Sequence, residues 1–154
     1  MTDFAVKNDT GTQLETARRG LRMLAACNRV LVRAASEQEL LNGLCRVLVE
    51  DAGYLLVRVS YTDAGEKSGG SWAVAEWADD AVSAAAGATD VADLPALRGG
   101  HGTVLTNPED LADVLPDDLS AGANRVASLA SLPLCHEGAV LGSLTLCSRR
   151  ADRF

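Results

Sequence analysis

The sequence predicts a single α+β domain, and three observations carry that expectation. Two helical patterns open the chain, one from Thr12 to about Ala35 and a second starting at Ser36. A strand follows at Leu55, with a return strand beyond a polar loop. The chain then closes on SLASLPLCHEGAVLGSLTLCS, Ser128 to Ser148, which reads as two strands joined by a glycine turn. At 154 residues, 47% hydrophobic and 23% charged, the chain is long and apolar enough to bury one core.

Residues 1–11 lack an apolar period and read as a flexible tail, which leaves 12–154 as the domain. The first helix carries two apolar stripes. Leu14, Leu21, Asn28 and Ala35 recur every seven residues, with Leu24 and Leu31 between them, as in a short coiled-coil seam. Met23, Cys27, Val30 and Ala34 form the second stripe. Such a helix can dock on its own sheet with one stripe and on another helix with the other. One broad buried face is the alternative.

Ser36 followed by Glu39 fits a capping box, so a second helix starts there. Leu40, Leu41, Leu44, Cys45, Val47 and Leu48 give it a wide apolar face, and Gly53 supplies the left-handed residue that ends it. Leu55, Val57, Val59 and Tyr61 then alternate with Leu56, Arg58 and Ser60, a strand with one buried face and one mixed face. Thr62 to Gly70 is a polar loop, and Ser71 to Ala78 returns as a strand with Trp72 and Trp77.

From Asp79 to Leu97 the chain is alanine-rich and acidic, with a short helix expected near Ala81 to Ala86. Arg98 to Gly102, RGGHG, reads as a loop, Thr103 to Thr106 as a short strand, and Asn107–Pro108 as a turn. Residues 109–127 hold acidic helical pieces broken at Pro116. In the closing hairpin, Ser128 to Leu134 runs extended, Cys135 to Gly138 turns, and Ala139 to Cys147 returns with Gly142 in the row of Val140, Leu144 and Leu146. A glycine there marks a bulge or a close backbone approach.

Charge and patterning exclude several classes. A net charge of −7 with scattered basic residues argues against nucleic-acid binding. With no long uncharged apolar window and a polar N-terminus, neither a membrane span nor a signal peptide is expected, and the chain reads as cytoplasmic. Cys27, Cys45, Cys135 and Cys147 have neither zinc-site spacing nor disulfide density, so they read as reduced core thiols.

The segments ACNRVLVRA, LLNGLCRVLVE and VEDAGYLLVRVSY, together with the closing hairpin, resemble the GAF domains of bacterial signalling and sensor proteins over roughly residues 20–150. The resemblance implies a PAS-related central antiparallel sheet of five or six strands, helices on one face and a loop- or helix-covered pocket on the other. It further implies a regulatory, small-molecule-sensing and dimerising module that passes ligand or partner state through its terminal helices. GAF domains normally continue into a long C-terminal helix, whereas this chain stops at Phe154, so either an output domain or a separate signalling partner is expected. A ligand-free dimerising scaffold and a free methionine sulfoxide reductase-type enzyme are the alternatives.

Residues 53–134 contain no cysteine, which argues against the reductase, since its nucleophile would stand in the pocket segment as a thiolate. Cys135–His136 resembles the bilin-carrying pair of phytochrome-type GAF domains but falls in the hairpin turn instead of the preceding helix. His101 lacks a second ligand at metal-like spacing, and the acidic clusters lack an EF-hand pattern. No catalytic residue, metal or cofactor is therefore expected. The candidate ligand-binding residues are Trp72, Arg98, His101 and Asn107, for an unknown small molecule. The expected homodimer interface comprises Leu14, Leu21, Leu24, Asn28 and Leu31.

Overall fold

The computed structural model describes residues 3–61, 70–74, 101–120 and 125–154. Helices α1 (Asp3–Arg33) and α2 (Glu37–Glu50) come first, then strands β1 (Leu56–Tyr61), β2 (Gly70–Val74) and β3 (Thr103–Leu105). Two short helices, α3 (Pro108–Val114) and α4 (Asp117–Ser120), lead into β4 (Ser128–His136) and β5 (Ala139–Ser148). The strands pair antiparallel throughout in the order β2-β1-β5-β4-β3. The last strand of the chain is thus the central one.

α1 starts at Asp3, inside the stretch expected to be a tail. Adding turns to an existing helix costs little once it is nucleated, and the long pattern beginning near Leu14 supplies that nucleus. The start of α2 follows from its cap. Ser36 is extended and its Oγ accepts from the Glu39 amide at 3.2 Å, while Glu39 Oε2 accepts from the Ala35 amide at 2.9 Å, one residue before the cap. Gly53 ends the helix at φ +75, and the amide of Tyr54 reaches back to the Leu48 carbonyl at 3.5 Å.

The closing hairpin turns on two residues, Glu137 (φ 50) and Gly138 (φ 81), the left-handed pair that matches strand twist. Cys135 and His136 belong to β4, opposite Val140 and Ala139, instead of to the turn. Leu134 faces Gly142 and Cys135 faces Val140, so Leu141 is the extra residue of a bulge beside Gly142. Exposed Cys135 also departs from the expected core thiol, whereas Cys45 and Cys147 are buried.

Alternation along the strands builds two cores. Val57, Val59, Ala130 and Leu146 face α2 and meet Cys45 and Val49. On the other side Leu56, Leu129 and Cys147 meet Leu111, Leu115, Leu119 and Val126 from the α3–α4 region. α1 packs on α2 through half-buried Met23, Cys27 and Val30 around buried Ala26. The second stripe of α1 therefore rests on a helix of its own chain. The first stripe points outward, with Leu14, Leu21, Leu24 and Leu31 all exposed.

Beyond β5 the chain folds back on the start of β1. Phe154 stacks on Tyr54 with ring centroids 5.7 Å apart, and Arg153 lies over the same ring at 4.8 Å while donating to the Ala52 carbonyl. The expected loop at 62–69, the far end of the second strand with Trp77, the helix near 81–86 and Arg98 lie outside the described residues.

Candidate functional site

The sheet face turned away from α2 changes character along its length. Antiparallel register stacks its side chains in rows across the strands. Leu56, Cys147 and Leu129 make an apolar row, covered by α3 and α4. Arg58, Thr145, Ser131 and Thr103 make the next, and Ser60, Ser143 and Pro133 the one after. Two polar rows thus sit beside one apolar row on a single face.

Three hydroxyls in those rows are buried and unsatisfied among the described residues. Ser131 and Ser143 are 0% exposed and Thr145 3%, and none of the three hydroxyls has a hydrogen-bond partner among the described residues. A buried polar group left unpaired costs about 1–3 kcal/mol, and three such groups on neighbouring strands amount to a concentrated demand for partners. Beside them the Arg58 Nε–H donates to Ser60 Oγ at 3.0 Å, which fixes the plane of the guanidinium on this face. The arrangement gathers one guanidinium and four hydroxyls on neighbouring strands of one face. Among the described residues it offers no nucleophile paired with a base.

The sequence-derived candidates fall in different places. Trp72 is the register partner of Arg58 on β2, so its position belongs to the polar row. His101 is exposed, two residues ahead of Thr103 at the sheet edge. Asn107 lies past the apolar row, where its Oδ1 accepts from the Glu109 amide at 3.4 Å and caps α3, with Pro108 as the first helical residue. Asn-Pro opens a helix here and not a turn.

Leu14, Leu21, Leu24, Asn28 and Leu31 share the outward side of α1, all exposed. A groove of about 730 Å³ runs beside this stripe between α1 and the end of α2, with Arg18, Arg22 and Arg29 facing Glu50 and Asp51. Arg58, Ser60, Ser131, Ser143 and Thr145 were not among the sequence candidates. Their one sequence signal is the mixed alternate face of β1, matched by serine and threonine alternating with leucine in β5.

The two buried thiols are held protonated. Burial pushes the Cys147 thiol up to about 12 and the Cys45 thiol up to about 11, the latter against a smaller opposing effect of a hydrogen bond with the Val59 backbone. No group of three or more histidine, cysteine, aspartate or glutamate side chains is placed to hold a metal among the described residues. No described helix is long and apolar enough to cross a membrane.

No family model matches the sequence, and no curated protein matches it. Solved structures do match the fold. The GAF domain of A. aeolicus nlh2, crystallised in an inactive state, superposes with a TM-score of 0.58 at 13% identity, covering 88% of this chain and 84% of that one. The GAF domain of a phosphoenolpyruvate-protein phosphotransferase (ptsP) from Coxiella burnetii superposes at 0.62 with 14% identity, covering 90% and 82%. Identities this low speak for architecture and for nothing finer. With two leading helices on one side of an antiparallel sheet, a polar row on the other side and matches of this extent, the chain has the fold of a GAF domain.

Proposed function

We propose that the chain is a regulatory, small-molecule-sensing and dimerising module of a cytoplasmic signal-transduction protein, with no catalytic activity of its own. The observation that carries this reading is the trio of buried, unpartnered hydroxyls of Ser131, Ser143 and Thr145 on adjacent strands. A fold that only scaffolds gains nothing from three uncompensated polar groups, whereas a binding site is completed by them. The exposed leucine stripe of α1 supports pairing with a second copy, because a monomer would leave it in water.

The mechanism is a shift of population between two arrangements of the same fold. A ligand that satisfies the hydroxyls acts on β4 and on the central strand β5. β5 leads straight into the Tyr54–Arg153–Phe154 contact, which borders a groove shared with Glu15, Arg19 and Met23 of α1. Ligand state thereby reaches the helix that pairs with the second copy, and from there an output domain or a partner signalling protein.

A thermal-shift screen of small polar compounds tests the reading. A genuine ligand raises the midpoint by mass action, and its effect disappears in the Ser131→Ala/Thr145→Val variant. The reading fails if no compound protects the protein, or if every protective compound acts equally on the variant.

A further inference from the structure

We propose that α1 pairs antiparallel with α1 of a second copy of this chain, Leu14 against Leu31 and Leu21 against Leu24. This rests on the dimerising reading above and names the direction and register of the contact. The four leucines follow one another at intervals of seven, three and seven residues, so their order is the same from either end. Turning one copy end for end about the point midway between Arg22 and Met23 therefore lays every leucine on a leucine. All four are more than half exposed. Asn28 falls opposite Ala17, whose small side chain leaves the amide open to water.

Parallel pairing would match the leucines as well, and charge decides between the two. At 3.6 residues per turn, Glu15, Arg18, Arg22 and Arg29 lie along one flank of the stripe, while Gln13, Gly20, Cys27 and Ala34 on the other flank carry no charge. Two parallel copies set the charged flank of one against the uncharged flank of the other. Antiparallel copies set the charged flanks against each other, and the leucine register brings Glu15 of each copy level with Arg29 of the other, twice by symmetry. Among the described residues, neither Glu15 nor Arg29 is taken up in an ion pair of its own chain. Arg22 meets Arg22 near the two-fold axis, but Glu50 and Asp51 line the same groove and offset that repulsion. The opposed helix dipoles favour the same direction.

The test is disulfide trapping in the whole chain. Leu14→Cys and Leu31→Cys are oxidised separately and as an equimolar mixture, and tryptic mapping distinguishes their links from any made by Cys27 or Cys135. The expected result is a 14–31 link in the mixture and no 14–14 or 31–31 link in either variant alone. Like positions stand about 25 Å apart along the antiparallel pair, whereas a disulfide spans Cα atoms less than about 7 Å apart. Independently, Glu15→Arg should weaken the dimer by about threefold to tenfold in sedimentation, and Glu15→Arg/Arg29→Glu should recover it. A 14–14 link, or a swap no better than Glu15→Arg, overturns the antiparallel register and leaves the dimerising reading standing. A dimer that gives neither link moves the interface off this stripe and overturns it too. If the parent chain is a monomer at micromolar concentration, both fall.

Discussion

Val30 of α1 occupies the space that Gly43 of α2 leaves by having no side chain. A Cβ built on Gly43 would lie 2.5 Å from Val30 Cγ1, well inside contact distance. Valine holds a single rotamer in a helix, so the clash cannot be relieved by swinging the side chain away. α1 sits as close to α2 as it does because of this pair.

Gly43→Ala should therefore destabilise the domain, although alanine is the better helix former by about 1 kcal/mol, because overpacking costs about 1–3 kcal/mol. Adding Val30→Ala should recover most of the loss. Denaturant midpoints of the two variants check this, and a Gly43→Ala protein more stable than the parent would show that the helices are free to move apart.

The thiols give a second expectation. Cys45 and Cys147 should react with a thiol reagent only as fast as the domain opens, while exposed Cys135 reacts at once. Their pH dependence has a definite sign. Unfolded, each thiol loses its proton near 9.0, but folded it keeps the proton to about 11 and about 12. The unfolded state thus binds fewer protons above pH 9, and stability should fall as pH rises from about 9 toward 12. Urea melts at pH 8 and pH 10.5 test it, with Cys147→Ala showing a shallower decline.

The clasp at the end of the chain should be measurable on its own. Tyr54→Ala removes both the Phe154 stack and the Arg153 contact, and the ring pair alone should account for about 0.5–1.5 kcal/mol of the loss. A double-mutant cycle with Phe154→Ala isolates the ring pair, and near-zero coupling would mean that the end of the chain is not held there.

Leu21 and Leu24 are 66% and 57% exposed on the outward side of α1. Replacing both with lysine should leave the fold intact and, if this stripe joins two copies, give a monomer by sedimentation at micromolar concentration. A variant that remains dimeric moves the interface elsewhere. One that unfolds would mean that the stripe is core.

Much of the fold is legible in the sequence because it rests on local chemistry. Ser36 and Glu39 are three apart, Gly53 takes the conformation other residues resist, and the closing hairpin carries its own turn. The split of α1 into an inner and an outer stripe is likewise written in its spacing, though that spacing does not say that the inner one meets α2. Asn107–Pro108 reads as a turn in the sequence and opens a helix in the structure, because the same pair suits both and nothing local separates them. The polar rows were hidden for a different reason. Arg58, Ser131, Ser143 and Thr145 come from three strands, and only the register between strands brings them together. Serine and threonine alone, in strands otherwise rich in leucine, read as neutral.

The measurement that bears most directly on the central claim is the unfolding free energy of the ligand-free protein against its Ser131→Ala/Thr145→Val variant. If these hydroxyls are held buried for a ligand, removing them relieves an uncompensated cost, and the variant should be more stable by about 1 kcal/mol or more, with an unchanged denaturant slope. A variant less stable than the parent would show that the fold satisfies these hydroxyls by itself, and would contradict the assignment of this face as a binding site.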